Sequence, residues 1–457
     1  MTDTVYDMVV LGAGSGGYAA ALRGAQLGLR VALIEADKVG GTCLHRGCVP
    51  TKALLHAAET VDAVRGARAL GVDAELRGVD MAALNAYKDS IVTRMHKGLQ
   101  GLVASRGIDL IAGRGRLAGA GAVEVDGRAV RGRNIVLATG SYSKTLGQRI
   151  DERVLTSEGA LRLERVPASA VVLGGGVIGV EFASAWASLG ARVTIVEALP
   201  RLVPGEDEAV SKQLERAFRK RRIAVRTNTM FESVERHDDG VTVHTQDGKT
   251  HDAEVMLIAV GRGPVTADLG YEQAGVAMDR GFVTTDGLGR TSVPGVWAVG
   301  DIVPGVQLAH RGFAQGIVVA ERIAGLDPAP VDDALVPRVT FCEPEIASVG
   351  LTEARARQVH GADAVTTAEF NVAGNAKSQI LGAQGFVKLV SLKDGPIVGF
   401  HAIGARMGEQ VGEGQLIVNW EADADDVAAL VHAHPTQNET LGEAAMALAG
   451  KPLHNHG

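Results

Sequence analysis

Two cysteines five residues apart, Cys43 and Cys48, lie within Gly40-Gly41-Thr42-Cys43-Leu44-His45-Arg46-Gly47-Cys48-Val49-Pro50-Thr51-Lys52. With three cysteines in 457 residues the chain is no disulfide scaffold. In a reducing compartment a close pair is redox-active, metal-binding or simply two inert core thiols. A structural zinc wants about four ligands, and Cys342 is distant in sequence and reads as a buried core residue. Pro50 suits the first turn of a helix, where its missing N–H costs nothing, and Ala53-Leu54-Leu55 continues that helix. Cys48 then stands at a helix N-terminus, where the dipole favours a thiolate, and Arg46 adds positive charge nearby. Thiol exchange also requires a base near neutral pH. His434, in His432-Ala433-His434-Pro435-Thr436-Gln437-Asn438-Glu439, is a candidate that Glu439 could orient, although a histidine beside a glutamate is often structural. The His434-Pro435 bond could be cis.

These groups need a frame. Met8-Val9-Val10-Leu11 runs into Gly12-Ala13-Gly14-Ser15-Gly16-Gly17, a helical stretch from Tyr18 to Leu27, and a second apolar run, Val31-Ala32-Leu33-Ile34, ending in Glu35. That is strand, glycine turn, helix and strand, with an acid where a ribose hydroxyl would lie. The pattern returns as Val171-Val172-Leu173, Gly174-Gly175-Gly176-Val177-Ile178-Gly179, a helix from Val180 to Leu189, and Val193-Thr194-Ile195-Val196 ending in Glu197. In both copies 23 residues separate the first glycine from the acid, so two nucleotide sites are expected. One G-x-G-x-x-G alone is an ordinary turn as readily as a site. Each copy has a closing apolar strand, Ile135 to Gly140 and Val255 to Gly261, suited to a buried parallel position.

After a linker at Asp327 to Pro337, strands are expected at Arg338–Val349, Phe386–Val390 and Ile397–Ile403, and helices at Glu409–Trp420 and Ala424–Leu430. This last region has no nucleotide fingerprint and reads as a separate α+β domain for association. A net charge of -7 gives no reason to expect nucleic-acid or membrane-surface binding. No run of roughly 18 apolar residues suggests a membrane span. The start, Met1-Thr2-Asp3-Thr4, reads as lacking a leader, which places the protein in the cytoplasm. The histidines of Pro452-Leu453-His454-Asn455-His456 read as tail polarity, and no metal site is expected.

Taken together, the two fingerprints, the C-x4-C pair after the first, Gly300-Asp301 after an apolar strand, and the terminal His-Pro-Thr with its glutamate resemble the flavin-dependent pyridine nucleotide-disulfide oxidoreductases of class I. The resemblance covers essentially the whole chain. It implies an α/β protein with two Rossmann-like dinucleotide-binding domains and a C-terminal α+β dimerisation domain. FAD would take residues 1–145 and 266–330, NAD residues 146–265, and the dimer interface residues 331–457. The FAD contacts implied are Gly12, Gly14, Gly17, Glu35, Thr42, Lys52, Gly115, Thr139, Gly140, Ser141, Asp301, Leu308, Ala309 and His310. Those to NAD are Gly174, Gly176, Val177, Ile178, Gly179, Glu181, Glu197, Phe231 and Gly261. Glu197 supports NAD over NADP on its own, since an acid there accepts from a ribose hydroxyl and repels a 2'-phosphate.

The implied reaction is oxidation of protein-bound dihydrolipoamide, the tail Gly442-Glu443-Ala444 fitting that branch. His434, held by Glu439, removes a proton; the substrate thiolate attacks Cys43; Cys48 leaves and passes electrons through FAD to NAD. Lys52 and Glu181 either stabilise charge on the flavin as a pair or form a plain ion pair. The resemblance further implies a homodimer in which the base comes from the other subunit, and a lipoylated acyltransferase of a 2-oxo acid dehydrogenase complex as partner. His45-Arg46, Thr51 and Gln315 depart from the commoner pattern, with Gln315 standing where an acid is frequent. Rival readings are an NADPH-dependent reductase of a small disulfide and a flavoprotein scaffold with diaphorase side activity. The tail from Lys451 to Gly457 has no second cysteine pair, as a mercuric-ion reductase would.

Overall fold

The computed structural model describes residues 4–454; the readings on Met1-Thr2-Asp3 and on Asn455-His456-Gly457 lie outside the described residues. The chain divides into two compact units. One comprises Met1–Leu54, Ala82–Lys144 and Gly261–Asp333, the other Leu55–Met81, Thr145–Val260 and Ala334–Gly457.

In the first unit, parallel strands lie in the order Asp109–Ala112, Val31–Glu35, Val5–Leu11, Arg128–Leu137, and Val296–Ala298 pairs onto the last of these. Continuous apolar runs are stable here because both sheet faces are covered. Val9, Leu11, Ala32, Ile34, Ile135 and Leu137 enter one core, and Met8, Val10, Leu33 and Val136 enter a second with Ala20 and Ala21 of helix Ser15–Gln26. Parallel pairing puts Leu11, Ile34, Leu137 and Ala298 at one edge of the sheet. The segments that follow them, Gly12–Gly17, Glu35, Ala138–Ser141 and Gly300-Asp301, therefore emerge together, where ligands of open α/β sheets bind. Helix Ala309–Ile323 packs on helix Ser15–Gln26 through glycine, since a Cβ at Gly316 would sit 2.3 Å from the Gly16 carbonyl oxygen.

The second unit repeats the scheme. Its parallel order is Ala224–Arg226, Arg192–Val196, Ser169–Leu173, Val255–Ile258, Val154–Leu155. The α+β region carries a five-stranded antiparallel sheet ordered Arg338–Thr340, Glu345–Gly350, Ile397–Gly404, Phe386–Leu392, Val365–Asn371. Helices Met407–Asn419 and Glu439–Leu448 contribute to its core. The single strand expected over Arg338–Val349 is a hairpin instead: the chain reverses at Phe341–Pro344, with a cis Glu343-Pro344 bond, and Arg338 pairs with Ser348. Strand Val365–Asn371 and helix Glu439–Leu448 are further elements that the sequence reading did not anticipate.

A buried ion cluster joins segments distant in sequence. Asp207 caps helix Glu208–Lys220 by accepting from Ala209 N, and also accepts from Glu353 N and Lys388 Nζ; Lys388 reaches Glu353 Oε2 at 2.7 Å. Burial pushes the Asp207 carboxyl up, but Lys388, the nearby His401 and the Glu353 amide together hold it below the usual carboxylate range; Lys388, with Arg357, holds Glu353 down. This contribution is full above the ordinary carboxylate range and is lost as pH falls through the depressed values. Lys388→Met leaves the buried Asp207 carboxylate without its cation, although Glu353 keeps Arg357 at 2.9 Å, and is expected to destabilise the fold by about 3–5 kcal/mol in denaturant unfolding. A change within about 0.5 kcal/mol would refute this account of the cluster.

Candidate active site

The glycine loops are set by close approach. Gly12 has φ +101°, and a Cβ there would lie 2.3 Å from Ala138 O; a Cβ at Gly17 would lie 1.8 Å from Gly12 O. Gly174 (φ +109°, 2.4 Å from Ala259 O) and Gly179 (1.9 Å from Gly174 O) repeat both constraints. The middle glycines differ, for nothing lies within 4 Å of a Cβ built on Gly14 or Gly176. The chain itself does not demand glycine there. Both residues sit at the N-cap of a helix with no side-chain cap, leaving amide donors and open space for a pyrophosphate. The residues present thus fit two dinucleotides.

The acids at the ends of the second strands have a further role. Glu35 accepts from Ala13 N at 2.7 Å and Asp37 N at 2.9 Å; Glu197 accepts from Gly175 N at 2.5 Å and Leu199 N at 2.7 Å. Each carboxylate pins its own glycine loop and keeps lone pairs for a ribose hydroxyl.

The cysteine-bearing helix Gly41–Arg46 rests on the first loop: Gly40 N donates to Ala13 O at 2.8 Å, and a Cβ on Gly41 would lie 2.7 Å from Gly14 Cα. Thr42 follows directly. Cys48 is the first residue of helix Cys48–Gly66, with Pro50 in its first turn. Neither cysteine forms a disulfide. The hydrogen bond to Cys48, then burial, hold the Cys43 thiol far above the usual thiol range, with Lys52 opposing. Two adjacent sulfurs do not readily carry two charges, so Cys43 keeps its proton. Burial and the nearby sulfurs push the Tyr18 phenol up to about 12. Arg46 pairs with Asp37 at 3.0 Å. His45 Nε2 bonds to Val39 O, and its ring meets His96 edge-on.

Beyond the thiols, Thr139 Oγ1 donates to Val265 O at 2.6 Å and pairs with the Tyr271 hydroxyl. Gly140 has φ +76° and open space. Ser141 donates to the Asp301 carboxylate and accepts from Arg262 Nε. Gly300 N donates to Gln315 Oε1 at 2.9 Å, so the amide oxygen at the departed position anchors the Asp301 turn. Leu308 caps helix Ala309–Ile323, and Ala309 and His310 begin it. Gly115 has a packing reason for its size, because a Cβ there would lie 2.5 Å from Leu11 Cδ1.

In the second unit Val177 and Ile178 begin helix Val177–Leu189, on which buried Glu181 accepts from Phe341 N at 2.9 Å. Phe231 packs among Val234 and Val260 beside the sheet core. Gly261, the first residue of the last segment of the first unit, has φ +100° and open space around it. Cys342 is buried and donates to Pro344 O.

His434-Pro435 is cis. His434 Nδ1 lies 2.7 Å from Glu439 Oε1, and Glu439 Oε2 accepts from Thr436 N at 2.7 Å. Burial pushes Glu439 up, but the Thr436 amide and His434 hold it below the usual range. With Nδ1 donating to the carboxylate, Nε2 is the acceptor of an imidazole 71% exposed, as a base requires. Asn375 Nδ2 donates to Thr436 O, and Ser378 Oγ to Gln437 Oε1, tying the turn to residues some 60 positions earlier that sequence reasoning missed.

A family described as pyridine nucleotide-disulphide oxidoreductase matches residues 6–316, and its dimerisation domain matches residues 336–445. Dihydrolipoyl dehydrogenase of Bacillus subtilis is 39% identical, covering 98% of this chain and 97% of that protein; the enzyme of the same name from Thermus scotoductus is 39% identical, covering 98% of each. Among solved structures, LpdA of Mycobacterium tuberculosis superposes with a TM-score of 0.90 at 27% identity, covering 96% of this chain and 99% of that one. The HOCl-induced flavoprotein disulfide reductase RclA of Escherichia coli gives 0.86 at 27%, covering 96% and 99%. Among the described residues no helix is long and apolar enough to cross a membrane.

Proposed function

The chain belongs to the pyridine nucleotide-disulphide oxidoreductases, and from that membership we propose that it is a dihydrolipoyl dehydrogenase, oxidising protein-bound dihydrolipoamide with NAD. The observation that carries the reading is the Cys43–Cys48 pair seated on the first glycine loop, together with relatives of that name along the full chain. Residues 1–145 and 266–330 hold FAD, 146–265 hold NAD, and 331–457 form the dimer interface. Bound FAD would supply a two-electron acceptor that hands a hydride to NAD.

The chain's own residues do the thiol chemistry. His434 of one protomer, oriented by Glu439, takes a proton from one thiol of the substrate, and the thiolate attacks Cys43 Sγ of the oxidised pair. The Cys43–Cys48 bond breaks and Cys48 leaves as a thiolate. The second substrate thiol attacks the substrate sulfur bound to Cys43 and its proton passes to the departing Cys43 sulfur, closing the lipoamide disulfide, while His434 keeps the first proton and balances the Cys48 thiolate. The substrate loses two electrons and the cysteine pair gains them. Because Cys43 keeps its proton, the reverse reaction needs the same base. Lys52 and Glu181 act at the cofactor, and Glu197 selects NAD. The protein works as a cytoplasmic homodimer serving a lipoylated acyltransferase.

The test is NADH formation by the FAD-loaded protein from dihydrolipoamide and NAD. Turnover of NADPH with a small disulfide, and none with dihydrolipoamide, would favour the small-disulfide reductase. Quinone reduction alone would favour the scaffold.

A further inference from the structure

Behind the exposed histidine stands a second imidazole–carboxylate pair. His432 Nε2 lies 2.7 Å from Glu413 Oε1, and the other Glu413 oxygen accepts from Asn438 Nδ2. Glu413 belongs to helix Met407–Asn419, whereas Asn438 caps helix Glu439–Leu448, which carries Glu439. One carboxylate thus ties together the beginning and the end of the turn that presents His434. The His432 side chain is 13% exposed, against 71% for His434, so it is placed to hold rather than to meet a substrate. Its ring lies against the second helix, for a Cβ on Gly442 would come within 2.6 Å of His432 Nδ1.

Two charged groups face the ring, Glu413 from one helix and Glu439 from the other. The Glu413 hydrogen bond, with the fields of both carboxylates, raises His432 above the ordinary imidazole range against the opposing effect of burial. Asn438 offers Glu413 a neutral hydrogen bond only. Without the His432 cation, Glu413 and Glu439 would flank the turn as like charges.

We propose that His432, held as an imidazolium between Glu413 and Glu439, is a positioning residue for the base, and that loss of its proton loosens the 433–438 turn and ends turnover on the alkaline side. This rests on the reading of His434 as the base. The sign follows from the pairing. The stabilisation is complete below the ordinary imidazole range and is lost as pH rises through the raised value.

The experiment is the pH profile of kcat and KM for dihydrolipoamide in the FAD-loaded dimer, for the wild type and for Glu413→Gln, His432→Gln and His434→Gln. Glu413→Gln removes the counter-charge, so the alkaline limb should move down by about one pH unit with KM little changed. In His432→Gln the side-chain amide still donates to Glu413 but carries no charge, as the deprotonated ring does, so kcat should stay at the wild type's alkaline value at every pH and the limb should disappear. A limb left in place in both variants, or wild-type kcat near neutrality in His432→Gln, overturns the proposal. Quinone reduction by NADH, which needs neither the base nor the thiols, reports whether each variant is folded, and if Glu413→Gln does not fold, His432→Gln alone decides. If His434→Gln retains full activity, it is the base reading that has failed.

Discussion

Cys48→Ser is expected to lower dihydrolipoamide-dependent NADH formation by at least about 10³-fold while leaving the FAD-loaded dimer folded. The argument is one of stoichiometry. The substrate must surrender two electrons to a disulfide, and one remaining thiol cannot form it within the chain. Serine is nearly the size of cysteine, and Cys48 is exposed at the first position of its helix, so packing changes little. The Cys43 thiol should respond as well. The hydrogen bond to Cys48 is the largest cause of its raised range, so alkylation of Cys43 should begin at lower pH in the variant. Quinone reduction by NADH should persist, because it requires the cofactors and not the thiols. Lipoamide turnover within about tenfold of wild type would show that electrons do not travel through the pair.

His434→Gln is expected to reduce kcat by roughly 10²–10⁴-fold, the range for loss of a general base, with a smaller effect on KM. Glu439 should matter through the ring it orients. In Glu439→Gln the side-chain oxygen can still accept from Thr436 N, leaving the amide NH2 as a donor facing Nδ1, which favours the tautomer with its proton on the working nitrogen. A loss of about 10²-fold is expected. Stopped-flow reduction of the cysteine pair by dihydrolipoamide separates this step from later ones. Unchanged reduction rates in both variants would remove the dyad from the mechanism.

Local constraints were legible because they act over few residues. Gly12 and Gly17 must be glycine since the second would otherwise strike the carbonyl of the first, five positions away. The helix start at Cys48 with Pro50 in its first turn and the continuous apolar strands likewise follow from neighbours in the chain. Gln315 shows the limit. Its departure from an acid was visible, but its bond to Gly300 N joins a helix to a turn 15 residues earlier. The pairing of Arg46 with Asp37, nine residues earlier, is likewise set by how the chain folds.

By itself, then, the sequence determined the two glycine loops with their equally spaced acids, the cysteine pair behind the first, and the histidine and glutamate that face each other across five residues. Sterics, helix-start chemistry and short-range hydrogen bonds suffice for these. Only the tertiary structure decided that Glu35 and Glu197 also clamp their loops, that residues 338–349 fold back as a hairpin, and that His432 meets Glu413 across 19 residues. Those outcomes depend on which helices and strands pack together, and the burial that selects such partners is a property of the folded core, with no counterpart in the spacing of residues along the chain.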